Sequence, residues 1–90
     1  VTPPATLENV LGTWAHCVAL SIACAEHRLS EDPPSIERRR RMAQLALEEP
    51  IDLRELLDVL REQRQYMRKK LEGAGVDPTA AFQAVVRIHA

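Results

Sequence analysis

Ninety residues make a single domain with no room for a second core, and a chain of this size buries only about 60–65% of its unfolded surface, so a partner or a second copy would help it. The hydrophobic share of 46% beside 28% charged residues excludes a disordered chain, and the net charge of −1 excludes a surface that attracts nucleic acid or acidic membrane as a whole. Ala, Leu, Arg, Glu and Gln, all strong helix formers, dominate. The chain lacks the turn residues every 8–12 positions that a sandwich or barrel requires.

Prolines at 3–4, 33–34, 50 and 78 divide the chain, and four helices fit between or after them. The first is expected from about Thr6 to Leu29, with Thr6 as its N-cap and Glu8 in the first turn, where negative charge suits the dipole. Leu7, Leu11, Trp14, Val18, Ile22, Ala25 and Leu29 recur at spacings of three and four and read as one buried stripe. Ala15, Cys17, Ala19, Leu20, Ala23 and Cys24 make the middle of this helix apolar or small on nearly every side. A helix apolar all round is normally covered all round. The face around Trp14, His16, Leu20, Ala23 and His27 is therefore expected to meet a partner. On that reading Leu20→Arg would leave helicity intact and abolish association, and protonation of His16 and His27 would weaken association in acid.

Ser30 to Ser35 forms a turn, and Ser35 is expected to cap a short second helix over about Ile36–Glu48, with Ile36, Ala43 and Leu47 sharing its inner face. Asp52 and Glu55 form a D-x-x-E variant of the capping box, with Ile51 and Leu56 placed as a hydrophobic staple. They open a long third helix whose stripe is Leu53, Leu56, Leu57, Leu60, Met67 and Leu71, interrupted by Gln63 and Arg64. Lys69 and Lys70 suit its C-terminal dipole, and Gly73 or Gly75 supplies a left-handed stop. Asp77-Pro78 opens a short fourth helix with Phe82, Val85, Val86 and His89 on one side. Short loops favour antiparallel neighbours. The fold class is all-α, a small bundle of about four helices in one domain over residues 1–90.

Chemistry is sparse. Cys17 and Cys24 are seven apart, about 10.5 Å along a helix, too far for a disulfide, so the chain reads as cytoplasmic with reduced thiols. The apolar run from Thr13 to Ala25 is too short for a membrane span, and no basic region precedes it as in a signal peptide, so no membrane insertion is expected. Cys24 and His27 lie three apart on one helix face, a workable chelating pair, but His16 lies about 16 Å from His27 and the usual paired ligand motifs are missing. No metal or cofactor is expected. Ser21, Ser30 and Ser35 sit in no nucleophile elbow, and Gly73-Ala-Gly75 ends a helix where a phosphate loop would begin one, so no catalysis is expected either.

The sharpest charge feature is Arg38-Arg39-Arg40-Arg41, a full helical turn, with Glu37 placed to pair Arg41. Arg64 and Arg68 add a second basic group on the third helix, where acidic residues are interleaved. Met42 to Val76 resembles the winged-helix regulators of the MarR and ArsR type. The resemblance rests on Ala43-Gln-Leu-Ala-Leu47, on Glu48-Glu-Pro-Ile-Asp-Leu-Arg-Glu-Leu56 and on Leu71-Glu-Gly-Ala-Gly-Val76. It implies a DNA-binding fold with a long N-terminal dimer helix. The stretch from Leu56 to Leu71, however, holds no turn residue and reads as one helix, and no wing strands follow. The expectation is therefore a protein-interaction module that self-associates or docks on a partner protein. Nucleic-acid binding through Arg38–Arg41, Arg64 and Arg68 is the alternative, and metal binding a second one.

Overall fold

The computed structural model describes residues 2–88, and they form four helices: α1 (Leu7–Glu26), α2 (Pro33–Ala46), α3 (Leu53–Gly73) and α4 (Pro78–Ile88). His89, expected on one side of the last helix, lies outside the described residues. The chain is an all-α bundle, and among the described residues there is no strand. The winged-helix likeness therefore ends at shared helix punctuation: α3 runs unbroken for 21 residues where that fold needs a turn.

Most helix ends follow the local chemistry. The Thr6 side chain accepts from the Asn9 amide at 3.1 Å and the Asp52 carboxylate from the Glu55 amide at 3.0 Å. The Asp77 carboxylate accepts from the Thr79 amide at 3.0 Å, with Pro78 in the first turn. α3 stops in a Schellman motif: Gly75 takes φ 77° and the Val76 amide reaches back to the Leu71 carbonyl at 2.9 Å. α1 ends the same way, at Glu26 with His27 as C-cap, three residues short of the expected Leu29; Arg28 takes φ 56° and the Leu29 amide reaches the Cys24 carbonyl at 3.0 Å.

The start of α2 departs from expectation. Asp32, not Ser35, is the N-cap, and Pro33 and Pro34 take the first helical positions, where a missing amide costs nothing. Ser35 lies inside the first turn and is buried. The inner face of α2 is correspondingly Ser35, Met42 and Leu45, whereas Ile36 and Leu47 are exposed.

Side-chain pairings fix the helix directions. Arg54 bonds the Pro3 carbonyl and Cys17 the Leu60 carbonyl, while Cys24 feels Lys70, so α1 and α3 run parallel. Asp32 meets Tyr66, Ser35 meets Gln63 and Arg41 meets Glu55, so α2 runs antiparallel to α3. Arg68 meets Thr79, which sets α4 antiparallel to α3, and His16 meets Phe82 where α4 crosses α1. The order is up-down-up-down, but one edge of the bundle is open. α1 packs on α3 and α4 and α2 packs on α3, while α1 and α2 do not pack on each other.

The core lies along α3, where Leu56, Leu57, Leu60, Met67 and Leu71 are buried, as the spacing predicts. Gln63 belongs to this row and does not interrupt it. It is buried, yet fully engaged: Arg38 Nε donates to its Oε1 at 2.9 Å and its Nε2 donates to Ser35 Oγ at 2.7 Å. Ser35 in turn donates to Glu31 at 2.8 Å, and Glu31 pairs with Arg39. Satisfied at each step, such a chain fixes one position of α2 on α3. Tyr66 completes the lock on the α1–α2 turn. Its hydroxyl donates to the Asp32 carboxylate at 2.9 Å and accepts from the Asp32 amide at 3.0 Å, and Lys70 adds a bond to the same carboxylate. These donors hold the Asp32 carboxyl below its ordinary range.

Candidate interaction surface

α1 carries two apolar faces, and the structure buries the one with the smaller residues. Val10, Cys17, Leu20 and Ala23 lie in the core against α3 and α4. Leu20 is 0% exposed and Ala23 2%, so both are core residues and neither reaches a partner. The expected assignment of Leu20 and Ala23 to a contact face is thus reversed. Leu20→Arg would place an uncompensated charge in the core and unfold the chain, so it does not isolate association.

The row expected inside is outside. Leu7 is 57% exposed, Leu11 59%, Trp14 40%, Val18 47% and Ile22 40%. Their spacings of four, three, four and four place them on one arc of the helix. No charged residue falls between Glu8 and Glu26 in α1, so the arc is unbroken. On its α2 side lies a groove of roughly 270 Å³, with Trp14, Val18 and Ile22 on one wall, Arg39 and Met42 on the other, and Leu60 in its floor. This groove is the open edge of the bundle. Of the expected contact residues, Trp14 alone lies on the exposed row.

The histidines lie elsewhere. His27 is the exposed C-cap of α1. The His16 ring stacks on Phe82 with centroids 4.4 Å apart, and its Nε2 is buried without a hydrogen-bond partner. Burial lowers its pKa, and Arg64 and Arg68 lower it further. His16 therefore belongs to the α1–α4 seam, and the expected acid weakening of a partner interface through His16 loses its geometric basis. Cys17 is buried and its thiol donates to the Leu60 carbonyl at 3.3 Å; burial pushes its pKa up to about 11. Cys24 lines a smaller surface pocket of roughly 200 Å³ with Glu31, Ser35, Tyr66 and Lys70, and burial raises its pKa as well. Among the described residues no three His, Cys, Asp or Glu side chains gather in a way that could hold a metal ion.

The four-arginine run does not form a row. Arg38 lies over the Tyr66 ring at 5.0 Å and bonds Gln63, Arg39 pairs with Glu31, Arg40 with Glu37 and Arg41 with Glu55. Four guanidiniums end on four partners, and the expected Glu37–Arg41 pair is replaced by Glu37–Arg40. Arg64 sits half-buried near His16, and Arg68 donates to Thr79 at 3.4 Å.

α1 is also the one described helix long and apolar enough to cross a membrane, with 20 residues that contain an 18-residue window of mean hydropathy 1.2. The length argument drawn from Thr13–Ala25 therefore no longer holds. The same test is passed by core helices of folded proteins, and 33% of the apolar window is buried here against the other helices.

Fold and surface together define the class: a small all-α protein with one open bundle edge beside an uncovered apolar helix face. No protein family, curated protein or solved structure matches the chain.

Proposed function

We propose that this protein is a non-catalytic protein-interaction module whose binding element is the exposed face of α1 with the groove beside it. One observation carries the reading: five large apolar side chains, each at least 40% exposed, form a continuous row with no charge inside it. Single exposed apolar residues need no explanation, whereas a contiguous row of this kind marks an interaction site. A protein partner suits the surface better than a lipid one. Helices that lie on membranes carry Lys and Arg beside their apolar face, and α1 has none among its 20 residues, with acidic Glu8 and Glu26 near its two ends.

A photo-crosslinking residue placed at Val18 tests the reading, with the same residue at exposed Gln65 on α3 as control. Protein adducts from position 18 and none from 65, in purified protein or in extract of the source cells, are expected. No adduct from position 18 under either condition removes the proposal.

A further inference from the structure

We infer that α4 is an acid-released latch: it is held on the bundle by Phe82 against the neutral ring of His16 and lets go when that ring takes a proton. The device is independent of what covers the exposed row of α1. Two observations carry it, the way α4 is held and the surroundings of the ring.

α4 is lightly secured. It packs on α1 and α3 and not on α2. Of its residues Pro78 and Val85 are buried, while Ala81 and Phe82 are half-buried. Among the described residues no salt bridge reaches it. Its one side-chain hydrogen bond to another helix there is the long Arg68–Thr79 contact at 3.4 Å. By contrast, Gln63 fastens α2 to α3 through Ser35 and Arg38, and Tyr66 holds Asp32. The seam with α1, where the His16 and Phe82 rings lie 4.4 Å apart, therefore carries much of the hold on α4.

The ring sits where a positive charge has no compensation. Its Nε2 is buried without a hydrogen-bond partner. A neutral imidazole with its proton on Nδ1 leaves only a lone pair at that atom. The imidazolium must put an N–H there, a charged donor with nothing to receive it. From α3, Arg64 and Arg68 both oppose the charge, and the acidic Glu72 one turn beyond Arg68 is exposed. α4 has one charged residue, Arg87 in its last turn, and the Asp77 carboxylate ahead of it accepts from the Thr79 amide. α1 has no charged residue between Glu8 and Glu26. Among the described residues no carboxylate lies within salt-bridge distance of His16.

Swinging α4 away returns the ring to water, so a proton favours the released state. The docked ring has a lowered pKa. Docking is therefore complete above the ordinary histidine value near 6.5 and weakens as pH falls below it. The Tyr66–Asp32 lock does not follow, because its carboxyl is held below the ordinary range. Release frees Phe82 and Val85 and bares the side of α1 around His16, with α1, α2 and α3 still joined.

The experiment is fluorine NMR on the full chain, which has one phenylalanine and one tyrosine. Para-fluorophenylalanine at Phe82 reports the latch, and meta-fluorotyrosine at Tyr66 reports the α2–α3 lock. Between about pH 7.5 and 5 the ratio of released to docked Phe82 signal is expected to rise several-fold. The ordinary histidine value sets a ceiling of about thirty-fold over that range. The Tyr66 signal stays in place. His16→Gln abolishes the rise whatever its ratio at neutral pH, and Arg64→Gln shrinks it. A chain with both His27→Gln and His89→Gln keeps it. An unchanged Phe82 signal overturns the latch, and so does a rise that survives His16→Gln or vanishes in the chain without His27 and His89. Loss of the Tyr66 and Phe82 signals together shows unfolding of the whole bundle and overturns it as well.

Discussion

Leu20 and Val18 are two residues apart on α1 and are predicted to behave as core and surface respectively. Leu20→Ala removes three carbons from a side chain that is 0% exposed. At about 0.8 kcal/mol per carbon the transfer loss is about 2.4 kcal/mol. The cavity left behind, at about 24 cal/mol per Å³, adds about 1 kcal/mol, for a total of about 3–4 kcal/mol. Val18→Ala removes two carbons that are 47% exposed, a loss of about 0.5–1 kcal/mol. The gain in helix propensity from Val to Ala, about 0.5 kcal/mol, offsets most of it. A 90-residue domain is stable by about 5–13 kcal/mol, so the first substitution removes a large share and the second almost none. Urea unfolding at low micromolar protein reads the difference. With a slope near 1 kcal/mol/M, the midpoint falls by about 3 M for Leu20→Ala and by less than about 0.5 M for Val18→Ala. A loss above 2 kcal/mol at Val18 with less than 1 at Leu20 would refute the assignment of the two faces and restore the bulky row to the core.

Gln63→Ala strips Ser35 Oγ and Arg38 Nε of their partner inside the α2–α3 seam and is expected to cost about 1–3 kcal/mol, lowering the melting temperature by roughly 5–20 °C; an unchanged melt would show that the buried polar chain does not hold α2. Cys17, buried and pushed up to about 11, is expected to resist a disulfide-exchange reagent at pH 8 until the protein is unfolded, while half-buried Cys24 reacts first. Peptide mapping after partial labelling checks the order, and label on Cys17 first would contradict the packing. His16, whose pKa is lowered by burial and by Arg64 and Arg68, binds its proton less readily folded than unfolded. Its stabilising contribution is therefore fully present above the ordinary histidine value near 6.5 and is lost as pH falls through that value toward the lowered one. Urea midpoints between pH 7.5 and 5 should fall for the wild type and fall less for His16→Gln; equal slopes would remove His16 as the cause.

Helix number, order and most termini were legible because each rests on a few adjacent residues. Thr6, Asp52, Asp77-Pro78 and Gly75 act through bonds within one turn, and the folded chain makes them as read. The start of α2 was misread because Ser35 satisfies the same local rule that Asp32 does. The choice was made from a distance, by Tyr66 and Lys70 holding Asp32 and by Gln63 drawing Ser35 inward. The polarity of Gln63 read as a break in the α3 stripe for the same reason, since its partners lie 28 and 25 residues away.

The reversal of the α1 faces has a different physical cause. Reading a stripe favours bulky side chains at spacings of three and four, and on α1 that row is Leu7, Leu11, Trp14, Val18 and Ile22. A core selects for fit, and here α1 lies between two helices at once. Ala19, Ala23 and Cys17 on its inner side are small enough to fit beneath α3 and α4, and Leu20 fills the remaining space between them. The bulky row has no such neighbour, because α2 packs on α3 and stays away from α1. Small residues facing inward and large ones facing outward is the reverse of what a self-sufficient monomer would select, since it leaves the greater apolar area in water. Under the proposed function the outer face becomes an inner face once a partner covers it. The row lies beside the open edge of the bundle and is free of charge, and the proposed function rests on those two features.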